Sequence, residues 1–159
     1  MLTPGPTHIS ACKRVSEEVR RATRKANDAA KNSDPICVYE ENNFYRAIAA
    51  LSVYDTLFSI PVADGVGRSP LDGPIVNTKD GGMILGENDA ASYLFRKNAS
   101  IVSFTDIAGI SNAMEKAVDE SPEIRSAQAT AIQDIVSSLD PAATIHQIIS
   151  ELHEVSNSR

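Results

Sequence analysis

Asp55-Thr-Leu-Phe-Ser-Ile-Pro-Val62 is a nearly continuous apolar run, followed by a Gly- and Pro-rich stretch from Ala63 to Gly82 and a second short run, Gly82-Met-Ile-Leu85. An unbroken run of this kind suits a strand covered on both faces, as in a parallel sheet. The stretch between the two runs reads as a functional loop or a broken helix. Outward from this centre, Ser100-Ile-Val-Ser103 reads as a further strand, and Pro35-Ile-Cys-Val-Tyr39 as a fourth β-prone run bounded by polar residues. Helical patterns fill the intervals, so the sequence predicts an α/β chain with a mainly parallel sheet of about four short strands and a helical C-terminus.

The helices have readable ends and faces. His8 to Lys31 carries Val15, Val19, Ala22, Ala26 and Ala29 at alternating spacings of four and three, a narrow stripe that predicts a helix lying on a surface. Its other face holds Lys13, Arg14, Arg20, Arg21, Arg24 and Lys25, either a solvated charge face or an anion- or partner-binding patch. Asn32-Ser33-Asp34-Pro35 is a turn cluster. Asn42 or Asn43 can cap a helix to about Ser52, with Phe44, Ile48 and Leu51 on one face. Asp89 to Lys97 reads as a short helix. Beyond Asp106, Ile107, Ile110, Met114, Ala117 and Val118 share a face. Ser121-Pro122 is a helix start with Pro at its first position, Ile132, Ile135, Val136 and Leu139 follow, and Asp140-Pro141 restarts the helix for Ile145, Ile148, Ile149, Leu152 and Val155.

Composition narrows the function. The chain has 159 residues, the size of one domain, with Lys+Arg 15 against Asp+Glu 21 and a net charge of −6. An acidic balance argues against nucleic-acid binding, because phosphate neutralisation needs a basic surplus. No apolar run reaches bilayer length, so no membrane partner is expected. MLTPGPTHIS lacks the charged and apolar regions of a signal peptide, and Cys12 and Cys37 without metal spacing fit a reducing compartment, so a cytoplasmic setting is expected. His8, His146 and His153 lack acidic or cysteine partners at ligand spacing, and Ser69 and Ser103 have no His-Asp arrangement nearby. Gly65-x-Gly67 lacks the third glycine of a dinucleotide fingerprint, and Asp80-Gly81-Gly82 reads as a hairpin-type turn. No metal, cofactor or catalytic residue is expected.

Three stretches in order resemble one family. Pro35 to Ser59 contains Arg46-Ala47 and Tyr54-Asp55 within a strand–helix–strand pattern, Pro61-Val-Ala-Asp64-Gly65 is followed by Gly73-Pro-Ile-Val-Asn-Thr-Lys-Asp-Gly-Gly-Met-Ile-Leu85, and Phe104-Thr-Asp-Ile-Ala-Gly-Ile-Ser-Asn-Ala-Met114 closes the series. This resembles the trehalose-6-phosphate synthases, family 20 glycosyltransferases with a two-domain GT-B architecture. The resemblance spans nearly the whole chain but only about the last third of a family member. It implies a Rossmann-like donor domain, with counterparts of strands three to six of the order 3-2-1-4-5-6 near residues 36–39, 56–60, 83–85 and 100–102. It further implies that strand four has either strand three or a cover of helix or another chain on its open edge.

That family passes glucose from UDP- or GDP-glucose to glucose-6-phosphate, and its site must neutralise a departing diphosphate through backbone amides and cations. By resemblance, Asp64 and Gly65 match the pair that meets the sugar. Asp72 stands where a ribose-holding Glu would be, one methylene shorter. Arg68 is a new cation in reach of phosphate. The intervening loop departs from the family: Gly67 loosens it, and Pro70 has no N–H to donate. Ser69-Pro70 also reads as a plain helix cap with Pro at the first position. Downstream, Ala90 replaces a glycine and Asp89 sets negative charge close to a diphosphate. The family's Arg and Lys clamp and its acceptor domain have no counterpart in this sequence. The expectation is a truncated, degenerate donor half, inactive alone, that binds UDP- or GDP-glucose weakly. The alternative is a non-catalytic interaction module pairing with itself or with a full-length synthase.

Overall fold

The computed structural model describes residues 9–30, 35–65 and 67–157. Contacts divide the chain into two units, Met1–Ala47 and Ile48–Arg159.

In the first unit, α1 (Ser10–Ala29) buries none of its residues, as its alanine-rich stripe predicts. His8 and Lys31 to Asp34, which carry the expected helix ends and the turn, lie outside the described residues. The run Pro35 to Tyr39 is not a strand, which corrects the sequence reading. The Asn27 side chain explains why: its Oδ1 accepts from the Ile36 N–H at 3.0 Å and its Nδ2 donates to the Ile36 carbonyl at 2.9 Å. Those are the groups a ladder would need, so the run is spent on the end of α1. Nearby, Glu40 accepts from the Ser16 hydroxyl and from Arg20 Nε, the latter at 2.9 Å. The Ser16 hydroxyl first, then Arg20, holds the Glu40 carboxyl below its ordinary value. Asn43 starts α2 (Phe44–Leu51), its Oδ1 accepting from the Arg46 N–H at 3.1 Å.

The second unit holds β1 (Thr56–Ser59), α3 (Arg68–Val76), β2 (Gly82–Gly86), α4 (Ala91–Phe95), β3 (Ser100–Val102), α5 (Ile107–Asp119), α6 (Pro122–Ser137) and α7 (Pro141–Asn157). The sheet is parallel with order β1-β2-β3, Thr56 opposite Gly82 and Ile84 opposite Ser100. The α/β class and the parallel pairing of the three later runs are as expected, but among the described residues there are three strands rather than about four. β2 is the strand buried on both faces. The longer apolar run forms β1 instead, and Phe58 on it is 46% exposed. Among the described residues β1 pairs on one side only, with β2, so it is an edge and lacks the cover its sequence predicts.

Met83 and Leu85 of β2 pack against Ala91 and Phe95 of α4 and Ile132 and Val136 of α6, with Leu57, Leu71 and Ile101 at the rim. On the other side of the sheet α5 packs on β2 and β3. Asp106 caps α5 by accepting from the Gly109 N–H at 2.9 Å, and Ser121 caps α6 with Pro122 at its first turn, as predicted. Ile110 and Ala117 are half-buried, whereas Ile107, Met114 and Val118 face solvent.

Asp80-Gly81-Gly82 is no hairpin, since it leads from α3 into a parallel strand. Asn77, just past α3, organises it: its Oδ1 accepts from the N–H groups of Lys79 and Gly81, both at 2.9 Å, and its Nδ2 donates to the Tyr54 carbonyl at 2.9 Å. Asp80 sits at φ 51°, a conformation Asp tolerates. At Gly81 a Cβ would strike the Tyr54 ring and come within 2.6 Å of its backbone oxygen.

Gly81→Ala therefore destabilises the protein by about 2 kcal/mol or more, read by urea denaturation. Gly82→Ala, where a Cβ meets nothing within 4 Å, is the control and changes stability by about 0.5 kcal/mol or less. Burial pushes the Tyr54 phenol up from 10.0 to about 12. A raised folded-state value means that stability is fully present below pH 10 and is lost as pH rises towards 12, by at most about 1.4 kcal/mol per unit. Denaturation curves across that window show the loss in the native chain and a shallower one in Tyr54→Phe.

Candidate functional site

Ligands of open parallel sheets bind beyond the carboxyl ends of the strands. Here that region is the segment after β1, Ile60 to Gly67, and the turn after β2, Glu87 to Ala90. The two are stitched together. Asp64 and Asp89 form a parallel bridge, the Asp64 N–H donates to the Asn88 carbonyl at 3.2 Å, and Asn88 Nδ2 donates to the Val62 carbonyl at 2.8 Å. Asp64 and Gly65 are exposed on this segment. Val66 lies outside the described residues.

The helix that follows differs in its start from the sequence reading. α3 begins at Arg68 with Gly67 as N-cap, so Ser69 is not the cap and Pro70 is at the third helical position. Pro is tolerated there because the first-turn N–H groups have no intrahelical acceptor. Pro74 lies deeper and removes one internal bond. Near the C-terminal end of α3 the Pro74 carbonyl accepts from Gln133 Nε2 of α6 at 2.8 Å.

Arg68 and Asp72, one turn apart, form an ion pair at 3.2 Å with side chains 80% and 31% exposed. Such pairs contribute about 0–1 kcal/mol, so either side chain is available to a ligand at small cost. The fold thus brings Asp64, Gly65, Arg68 and Asp72 to the β1–α3 connection at the carboxyl edge of the sheet.

Asp89 stands otherwise than its sequence position implies. Its side chain is fully buried rather than turned outward. Oδ2 accepts from the Ser59 hydroxyl at 2.9 Å and Oδ1 from the Ala91 N–H at 2.9 Å. Ser59 gave no sign of this role beyond being the polar residue in an apolar run. Next to it Ser92 is fully buried, and its Oγ has no hydrogen-bond partner among the described residues. Among the described residues no group of His, Cys, Asp and Glu could hold a metal. His146 and His153 are exposed on α7. No described helix is long and apolar enough to cross a membrane.

A three-stranded parallel sheet flanked by helices, with its connecting segments at the carboxyl edge, is part of a Rossmann-like α/β frame. Comparison with solved structures gives a specific match of fold, to part of the trehalose-6-phosphate synthases. The α,α-trehalose-6-phosphate synthase from Burkholderia multivorans superposes with a TM-score of 0.85 at 17% identity, over 96% of this chain and 34% of that one. The UDP-forming enzyme from Burkholderia xenovorans gives 0.86 at 14% identity, over 97% of this chain and 35% of that one. A trehalose-6-phosphate structure from E. coli bound with UDP-2-fluoro glucose gives 0.83 at 17% identity, over 93% of this chain and 34% of that one. The chain thus spans about a third of the length of these structures. No family model matches it, and no curated protein matches it.

Ser92→Ala removes the unpaired buried hydroxyl and raises stability by about 1 kcal/mol in chemical denaturation, whereas an orphaned group elsewhere would be costly to create.

Proposed function

We propose that this chain is a degenerate donor half of a trehalose-6-phosphate-synthase-like glycosyltransferase, retaining a weak nucleotide-sugar site and no transfer activity by itself. The supporting observation is the fold match over nearly the whole chain, combined with Asp64 and Gly65 on the segment where such sheets take ligands. Asp64 accepts from sugar hydroxyls, the Gly65 backbone allows close approach, Asp72 accepts from a ribose hydroxyl, and Arg68 pairs with a phosphate. One exposed cation against a diphosphate leaves most of the charge uncompensated, which is why affinity is weak and leaving-group stabilisation fails. The setting is cytoplasmic, by the same cysteine argument as above.

A second reading, a non-catalytic module that pairs with itself or with a full-length synthase, is favoured by α7. Every described side chain of that helix is exposed, including Ile145, Ile148, Ile149, Leu152 and Val155 on one stripe. Size-exclusion chromatography with light scattering separates the readings, since a strict monomer at high concentration counts against self-pairing.

Calorimetric titration with UDP-glucose and GDP-glucose is expected to show saturable binding with Kd near about 1 mM, weakened at least about tenfold in Asp64→Ala. No heat above dilution at millimolar ligand removes the site. Formation of a phosphorylated disaccharide from activated glucose and glucose-6-phosphate by the purified chain overturns the claim of inactivity.

A further inference from the structure

We propose that Asp89 is the positioning residue of this site: anchored by Ser59 and by the Ala91 N–H, it locks the turn after β2 onto the end of β1 and thereby sets where Asp64 stands. The proposal rests on the nucleotide-sugar reading of Asp64, although the clamp itself is a matter of geometry.

Three bonds join the segment 59–64 to the turn 86–92. Two of them, from the Asp64 N–H to the Asn88 carbonyl and from Asn88 Nδ2 to the Val62 carbonyl, lie between exposed residues where water competes. The third, from the Ser59 hydroxyl to Asp89 Oδ2, runs to a carboxylate that is 0% exposed. A charge removed from water is tolerated only when its oxygens are bonded, and bonds to an ionised acceptor are stronger than neutral ones. Each Asp89 oxygen has one donor, and each donor belongs to a different segment: the end of β1 and the start of α4. The backbone of the same residue is tied on both sides, its N–H to the Gly86 carbonyl at 3.0 Å and its carbonyl to the Ser92 N–H at 2.9 Å. Asp89 is thus held from four directions, and Asn88, next in the chain, carries that rigidity to Asp64. Packing alone needs no carboxylate here, and an apolar side chain would fill the space without desolvation cost.

The test is amide hydrogen exchange on the full chain, with β2 amides as a gauge of global opening. Asp89→Ala is expected to speed exchange at residues 62–65 at least about tenfold beyond the change recorded in β2. Asp89→Asn keeps the shape, an Oδ1 acceptor for Ala91 and an amide donor for Ser59, so it is expected to restore slow exchange to within about threefold. UDP-glucose affinity is expected to fall at least about fivefold in Asp89→Ala and to be retained in Asp89→Asn. Ser59→Ala, which removes one arm only, gives an intermediate exchange rate and carries the test if Asp89→Ala does not fold. Exchange at 62–65 that is unchanged, or that rises only in step with β2, overturns the proposal, as does Asp89→Asn behaving like Asp89→Ala. Exchange as expected in a chain that binds no UDP-glucose leaves the clamp standing and removes the nucleotide-sugar reading instead.

Discussion

The burial of β2 is the constraint on which the second unit depends. Its five residues have a strand on each side and α4, α5 and α6 packed against them, and all five are buried. That placement decides which neighbours are legal. Met83 and Leu85 require apolar cover, which α4 and α6 supply through Phe95 and Ile132. Gly86 at its end admits Ile60 so closely that a Cβ would come within 3.1 Å of the Ile60 Cα, which draws the segment after β1 over the strand end. From there the chain must run past Asp64 before it can turn into α3. The candidate site is a consequence of the central strand's own packing.

The sequence exposes some of this and hides the rest for identifiable reasons. Capping chemistry is local, and Asn43 and Ser121 act as their types and spacings predict, while Asp106 adds a cap seen only in the structure. The apolar runs that became β1, β2 and β3 were legible because strands of a parallel sheet read as short apolar runs. Which run would be central was not, since Asp55 to Val62 is the longer run, with more apolar residues than Gly82 to Gly86, yet lies at the edge. Position in a sheet is set by pairing, which no single stretch encodes. Pro35 to Tyr39 failed as a strand because one side chain, Asn27, competed for its backbone. The buried Ser59–Asp89 contact spans thirty positions, and a polar pair so far apart has no local signature.

Exposure on α7 and Phe58 shows the cost of surface that the described residues do not cover. A scattered apolar residue at a surface is ordinary, but a stripe repeating along a helix is not. Ile145, Ile148, Leu152 and Val155 repeat at alternating three and four residues, the spacing of a helix that meets another helix. That four-residue arc, with Ile149 beside it, has polar flanks, Glu151 on one side and His146 and His153 on the other, so the helix is amphipathic rather than apolar all round. The solved structures of like fold continue well beyond the region they share with this chain, and surfaces of this kind are what a larger fold would enclose.

Charge around the β1–α3 connection sets what the site can hold. Three carboxylates, Asp64, Asp72 and Asp89, lie on the segments at this edge of the sheet, and the one ion pair described among them joins Arg68 to Asp72. Asp89 is hydrogen-bonded by two neutral donors and buried, so it shapes the segment and does not face a ligand. Asp64 remains as an exposed acceptor, and Asp72 as a half-buried one shared with Arg68. Acceptors of that kind suit hydroxyl groups, which donate, and repel phosphate oxygens, which do not. The charge at this connection therefore suits a neutral, hydroxyl-rich group better than a multiply charged anion.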